Sequence, residues 1–141
     1  MDLTIQIDGR VVNIRVAVLI KGAEGYLFEQ SPKGYVFLVG GRLKLGESSY
    51  DAAVREIGEE LGGQVGPLDF RAIIENFYIA SDKEVQEICF VYEARETFLG
   101  NLPANFVGVS VEKLDQFLIK PAAVVEILRD TDRSKLHLVI R

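Results

Sequence analysis

Four acidic side chains and one arginine have the types and spacing that could hold a divalent metal ion. They are Glu47, Arg55, Glu56, Glu59 and Glu60. Carboxylates three and four residues apart on a helix are neighbours, and their like charges repel one another. Mg²⁺ and Mn²⁺ relieve such repulsion, because they prefer oxygen ligands and commonly bridge to substrate phosphates. The grouping therefore indicates a metal site that acts on phosphates, with a solvated acidic helix face as the alternative.

Glycines punctuate the segment that leads into these acidic residues. Gly40 and Gly41 come first, and Gly46 stands directly before Glu47. Because glycine has no side chain, the backbone here can come close to the start of the following helix. A backbone carbonyl in this segment can join the metal ligands, and Glu47 can fold back toward Arg55.

A helix from about Ser49 to Leu61 is predicted to position the acidic residues. Ser48 can cap its start, with Asp51 three residues further on, and no proline interrupts the segment. Apolar residues recur at intervals of three and four, which is typical of a face packed against a core. They are Tyr50, Ala53, Val54, Ile57 and Leu61. The glutamates then lie together on an adjacent face.

Strands are predicted on both sides of this helix. The amino terminus indicates a β-hairpin, because Asp8 and Gly9 separate two apolar segments. Alternating or continuous apolar residues predict further strands near residues 26–28, 35–38, 68–79, 85–94 and 136–140. Residues 96–106 have the composition of a loop, and short helices are expected at 111–117 and 121–129.

The segment from Gly41 to Gly63 resembles the Nudix box, whose pattern is G-x5-E-x7-R-E-U-x-E-E-x-G-U with U aliphatic. Every charged position of that pattern is matched, as are the first aliphatic position at Ile57 and the glycine at Gly62. Gly63 departs from the pattern, and Val39 stands where proline is often found. The carboxyl-terminal part, including V-S-V-E-K-L at residues 109–114, is also similar to Nudix domains.

The resemblance implies an α/β fold, the Nudix α/β/α sandwich with a mixed central β-sheet, in a single domain spanning residues 1–141. It implies Mg²⁺ as cofactor, with Mn²⁺ as a substitute. The implied metal ligands are Gly40, Glu56, Glu59 and Glu60. Arg55 would orient these carboxylates, chiefly by pairing with Glu47.

Two acidic residues on apolar strand segments are further candidates for the site. Glu75 and Glu87 would be costly to bury unless each is paired or bound to a cation. A base must accept the proton of the attacking water, and Glu56, Glu59 and Glu87 all remain candidates for it. Candidate substrate contacts are Arg42, Phe37 and Phe77.

Composition limits the classes of partner. The 141 residues are 48% hydrophobic and 26% charged, with a net charge of −5. A nucleic-acid partner is not expected, because backbone phosphates require a basic surface. No apolar segment approaches the length of a membrane span, so we expect a cytoplasmic protein without membrane contact. Edge strands would allow a homodimer.

The predicted function is that of a metal-dependent pyrophosphohydrolase, in which water attacks phosphorus in a nucleoside diphosphate derivative or a nucleoside triphosphate. Its partner would be a small nucleotide substrate. One alternative is a non-catalytic Nudix module that senses a nucleotide. Another is an RNA-cap hydrolase, which would need a basic track for the RNA.

Overall fold

Nine strands form one mixed sheet in the computed structural model, which describes residues 1–130 and 136–141. The strands are β1 (Thr4–Ile7), β2 (Arg10–Leu19), β3 (Lys21–Gly22), β4 (Gly25–Gln30), β5 (Val36–Arg42), β6 (Leu68–Ala80), β7 (Lys83–Ala94), β8 (Phe106–Val109) and β9 (Leu136–Ile140). The helices are α1 (Ser49–Leu61), a 3₁₀ helix (Val111–Gln116) and α2 (Ala123–Arg129). None of the described helices is long and apolar enough to cross a membrane.

The sheet has the strand order β3-β4-β5-β2-β7-β6-β9, with β1 paired to β2 and β8 paired to β4. Strands β2 and β7 run parallel, as do β6 and β9, whereas β5 is antiparallel to β2. Strands β1–β2 and β6–β7 are antiparallel neighbours joined by short turns. The predicted amino-terminal hairpin and mixed sheet are therefore confirmed.

Alternating residues along the strands build a core on each face of the sheet. Val16 and Val18 of β2 pack on the side of α1, whereas Ala17 and Leu19 pack on the side of α2. Ile57 of α1 belongs to the first core, and the second contains residues of both α2 and the 3₁₀ helix. The structure is thus a three-layer α/β/α sandwich, as the resemblance implied.

Helix α1 has the predicted boundaries. The Ser48 hydroxyl accepts a hydrogen bond from the Asp51 backbone N–H at 3.1 Å. The helix ends at Gly62, whose positive φ of 71° glycine adopts without strain. Its buried face differs from the prediction at two positions, because Tyr50 and Val54 are exposed. The small Ala52 is buried in their place, which lets the helix lie close to the sheet.

The carboxyl-terminal half departs from the prediction in three places. Residues 106–109, expected partly as loop, form β8 against β4. The segment after Ser110 is a 3₁₀ helix rather than an α-helix, and α2 begins at Ala123, two residues after Pro121. These short elements are held by contacts with the sheet, which local sequence patterns do not encode.

Ser48→Ala is expected to destabilise the protein by about 1 kcal/mol, because the Asp51 N–H at the helix start loses its acceptor. Thermal unfolding should show a decrease in Tm of about 2–5 °C. Ser48→Asp retains an acceptor and serves as the control. An equal decrease in both variants would show that the cap does not stabilise α1.

Candidate active site

Arg55 is the centre of an ion-pair network at the edge of α1. Its Nε and Nη2 donate to the two carboxylate oxygens of Glu47 at 2.7 and 2.8 Å. Its Nη1 donates to Glu56 Oε1 at 2.9 Å and to Glu59 Oε2 at 3.3 Å. Nη2 also donates to the Arg42 carbonyl at 3.1 Å. The guanidinium therefore links three acidic side chains to the end of β5.

The pairing of Arg55 with Glu47 fixes the charge of both residues. Hydrogen bonding to Arg55 is the largest cause that lowers the pKa of Glu47 to about 2. The same bond raises the pKa of Arg55 above its already high ordinary value. Glu47 is also held to the loop before the helix, because it accepts from the Lys44 N–H at 3.0 Å. Glu47 thus folds back onto Arg55 as the spacing predicted.

Glu56 lies against the backbone of β5, in the space that Gly41 leaves open. A methyl group on Gly41 would lie 2.3 Å from Glu56 Oε1, so a larger residue would displace the carboxylate. Burial raises the pKa of Glu56 above its ordinary value, and Arg55 opposes that rise. A nearby cation strongly stabilises the charged form of a partly dehydrated carboxylate of this kind.

Glu60 lies one helical turn after Glu56 and contacts Gly40, the residue before Gly41 in β5. The Gly40 N–H donates to Glu60 Oε2 at 3.0 Å. Burial, followed by the neighbouring Glu29 carboxyl, raises the pKa of Glu60. Glu29 belongs to β4, is 8% exposed and has a buried Oε2 without a hydrogen-bond partner among the described residues. Two acidic side chains are therefore neighbours beneath the helix.

The donor set fits a hard divalent cation that is shared with a substrate. Within residues 1–130 and 136–141, no group of three or more acidic, histidine or cysteine side chains is arranged to hold a metal by itself. Mg²⁺ rarely needs such a cage, because it keeps several waters and binds through a few carboxylates together with substrate phosphates. The buried, unpaired oxygen of Glu29 and the partly buried Glu56 supply oxygen donors of that kind.

The structure brings together most residues that were predicted for the site. Glu47, Arg55, Glu56 and Glu59 form the network, and Glu60 contacts Gly40. Gly40 uses its N–H in that contact, whereas its carbonyl was the predicted ligand. The side chain of Glu59 is 54% exposed, so it faces water more than its neighbours do.

Glu87 and Glu75 lie apart from this group. Glu87 is buried with Val85, Cys89 and other residues of β7 that face α2, on the opposite side of the sheet from α1. Its Oε1 is 3.8 Å from Arg15 Nη1 and accepts from the Tyr78 hydroxyl at 3.4 Å. Glu75 pairs with His137 of β9 at 2.5 Å. Each of the two acids has a partner away from α1.

A cleft of about 780 Å³ lies on the α2 side of the sheet. Cationic and aromatic side chains in its lining include Arg15, Lys33, Tyr35, Phe37, Tyr78 and Lys120. Lys120 Nζ lies 4.7 Å from the Tyr35 ring centre, and the Tyr35 and Phe37 rings are 6.0 Å apart. The cleft therefore combines positive charge with aromatic faces, although the whole chain is acidic.

The predicted substrate contacts separate into different regions. Phe37 lines the cleft. Phe77 lines another hollow, beside β1 and β2, and the Arg141 guanidinium carbon lies 4.5 Å from its ring centre. Arg42 is exposed at the end of β5, where its carbonyl accepts from Arg55.

Glu29 and Arg15 were not among the predicted site residues. Like Glu75 and Glu87, Glu29 is an acid within an apolar strand, because it directly follows Tyr26, Leu27 and Phe28. Arg15 lies in an apolar strand in the same way. Burial cost alone would have found both residues, but it would not have shown which elements they contact.

Gly41→Ala is expected to leave the fold intact but to weaken activity strongly, because the added methyl displaces only the flexible end of Glu56. In Gly40→Ala the methyl would lie 2.1 Å from the Val16 carbonyl oxygen, which is backbone, so this variant should lose stability instead. Thermal unfolding and hydrolysis rates of the two variants separate the effects. A Gly41→Ala protein with wild-type turnover would contradict the assigned role of Glu56.

Comparison with known proteins agrees with this arrangement. The NUDIX domain profile matches residues 11–134, and no curated protein sequence matches the chain significantly. A MutT protein from Methanosarcina mazei has 23% identity and a TM-score of 0.68, with 91% of this chain and 97% of that chain covered. A C. elegans Ap4A hydrolase has 20% identity and a TM-score of 0.60, with 84% and 94% covered.

An ADP-ribose pyrophosphatase from Streptococcus suis has 17% identity and a TM-score of 0.56, with 92% of this chain and 98% of that chain covered. Such low identities show the shared fold alone. The domain match, in contrast, covers most of the sequence and includes every residue of the Arg55 network. The chain therefore belongs to the NUDIX family of hydrolases.

Proposed function

We propose that this protein is a metal-dependent pyrophosphohydrolase that cleaves the diphosphate of a nucleotide. One observation carries the proposal. The carboxylates of Glu56 and Glu60 lie against the backbone of Gly40 and Gly41, a strand segment without side chains. A site of this kind exposes carboxylate oxygens beside open backbone, which leaves room for a phosphate chain. The family membership supports the same reaction class.

Glu56, Glu59 and Glu60, with the Gly40 backbone, would hold Mg²⁺ or Mn²⁺. When bound, the metal supplies positive charge that neutralises the diphosphate and stabilises the charge developing on the bridging oxygen. Without it, a diphosphate would meet a surface of carboxylates and be repelled. The oxygen-rich donor set favours these hard cations over softer metals.

Arg55 and Glu47 would act as positioning residues. The bidentate pair fixes the guanidinium plane, and the remaining nitrogen then fixes Glu56 and Glu59. Lysine could not replace this planar fork, because it has a single charged nitrogen on a flexible stem. The carboxylates are thus held in place before the substrate arrives.

Glu59 is the best candidate for the base. Its Oε2 accepts from Arg55, and more than half of the side chain remains exposed, so a water molecule can reach it. Glu59 would accept a proton from this water as the oxygen attacks phosphorus and the bond to the bridging oxygen breaks. Glu56 is more buried, and Glu87 lies on the other side of the sheet.

The cleft on the α2 side would bind the nucleoside end of the substrate. Arg15 lines the cleft and comes directly before Val16 in β2. Val16 is in turn paired with Gly41 of β5. The charge of Arg15 also lowers the pKa of Glu56, although more weakly than Arg55 does. Arg15 is therefore close enough to Glu56 for its charge to act on both the cleft and the carboxylates. Tyr35 and Phe37 offer faces on which a base can stack.

The substrate class is a small nucleotide with a phosphoric anhydride bond. The similar proteins carry names that refer to MutT, Ap4A and ADP-ribose, and the last two compounds share a nucleoside attached to a phosphate chain. The three cationic residues Arg15, Lys33 and Lys120 suit such a substrate. They are too few and too local to form a track for a long RNA chain.

Glu56→Gln is expected to lower turnover by at least about 100-fold, because an electrostatic contribution to the transition state is lost. The measurement is release of phosphate-containing products from nucleoside triphosphates and nucleoside diphosphate derivatives, with Mg²⁺, Mn²⁺ or EDTA. Glu112→Gln, at an exposed position of the 3₁₀ helix, is the control. Wild-type turnover in Glu56→Gln, or hydrolysis that persists in EDTA, would overturn the proposal.

Tyr35→Ala is expected to raise KM by about tenfold with a smaller change in kcat, because stacking of a base on an aromatic ring contributes about 1–3 kcal/mol. Steady-state kinetics with the preferred substrate provides the measurement. Phe77→Ala removes an aromatic ring from the other hollow and should leave KM unchanged. A higher KM in Phe77→Ala with an unchanged KM in Tyr35→Ala would instead place the nucleoside site in that hollow.

A further inference from the structure

Glu87 is a buried carboxylate on the floor of the α2-side cleft. Its side chain is 8% exposed, and it is among the residues that line the cleft. The proposed hydrolysis does not use this carboxylate, because the α1 glutamates lie on the other side of the sheet. A charged group in such a place is costly unless its surroundings or a ligand stabilise it.

A row of polar residues crosses three strands at this point of the sheet. Asn13 of β2 and Asn76 of β6 are the residues paired with Glu87 on its two sides. Directly paired residues share one face of a sheet, and Asn76 also lines the cleft. Asn13 is 4% exposed, and its Oδ1 has no hydrogen-bond partner among the described residues. The row therefore offers acceptor oxygens on a face that is otherwise apolar.

The contacts of Glu87 within the chain use one of its two carboxylate oxygens. Its Oε1 lies 3.8 Å from Arg15 Nη1 and accepts from the Tyr78 hydroxyl at 3.4 Å. Burial, followed by the charge of Glu87, raises the pKa of Tyr78, so this hydroxyl keeps its proton. In the part of the chain that the structure describes, Oε2 is thereby left as an acceptor for a ligand.

We propose that Glu87 selects a nucleobase with an exocyclic amino group, by accepting a hydrogen bond from that group. The inference rests on the proposed hydrolysis of a nucleotide whose nucleoside end lies in this cleft. An ionised carboxylate has acceptors only, so it pairs with an amino group and repels a carbonyl oxygen. Adenine, guanine and cytosine carry such an amino group, whereas hypoxanthine and uracil do not.

Bases without the amino group are disfavoured but not fully excluded. Hypoxanthine and uracil keep a ring N–H that can donate, but a carbonyl oxygen stands next to it. When the N–H faces one carboxylate oxygen, the carbonyl lies near the other and is repelled. Arg15, beside Glu87, offsets part of that repulsion. We therefore expect a preference of limited size.

The test compares steady-state hydrolysis of ATP with that of ITP, and of CTP with that of UTP, in Mg²⁺. In wild type, kcat/KM for each amino form should exceed that of its oxo counterpart by about 10- to 100-fold, as expected for a hydrogen bond to a charged group. In Glu87→Gln both ratios should fall close to one, because an amide offers a donor as well as an acceptor. This variant should also hydrolyse ITP and UTP faster than wild type, a gain that damage to the fold cannot produce.

Glu93→Gln is the matched control, because it changes an equally buried carboxylate of β7 that pairs with Arg71 away from the cleft. It should keep the wild-type ratios. A ratio between two substrates does not depend on the folded fraction of the protein, so a loss of stability in this control does not affect the comparison.

Equal hydrolysis of amino and oxo nucleotides by wild type would overturn the inference and leave the proposed function in place. An unchanged ATP-to-ITP ratio in Glu87→Gln, with loss of a preference for ATP over dATP, would assign Glu87 to the sugar and also overturn it. If no nucleotide is hydrolysed, the proposed function fails, and titration calorimetry with AMP and IMP in EDTA tests Glu87 by itself. Tighter binding of AMP than of IMP, lost in Glu87→Gln, would then support the inference, and any other result would overturn it.

Discussion

The close approach of α1 to β5 is the constraint on which the rest of the site depends. Glu56 and Glu60 can lie against the strand only because Gly40 and Gly41 present backbone there. Ala52 and Ala53 are fully buried on the same helix, so small side chains keep the helix close to the sheet. The acidic residues are thereby dehydrated in part, which raises their demand for positive charge.

Arg55 supplies part of the positive charge that these acidic residues need, and a bound metal would supply the rest. One guanidinium pairs with Glu47, Glu56 and Glu59, whereas Glu60 and Glu29 lie beyond its contacts. The site is therefore divided into a charge-compensated part and an uncompensated part. Arg55 thus positions three of the acidic side chains, while the buried end favours a bound cation.

Local signals predicted the helix well, because its cap, its periodicity and the glycine at its end are all encoded within residues 48–62. The same reasoning could not place Glu87, since alternation along a strand gives two faces without saying which one meets α1. It also missed β8, whose four residues form a strand only through pairing with β4. The burial cost of an acid within an apolar strand would have found Glu29, but its proximity to Glu60 depends on the fold.

The positive cleft on an acidic protein has a consequence for how substrate is captured. With 21 acidic and 16 basic residues, the molecule as a whole repels a polyphosphate at a distance. At physiological salt this repulsion is screened beyond about 8 Å. The cationic residues Arg15, Lys33 and Lys120 therefore act only on a substrate that has already reached the entrance of the cleft. Encounter is then governed by ordinary diffusion, and the local charges set the direction in which the nucleotide enters.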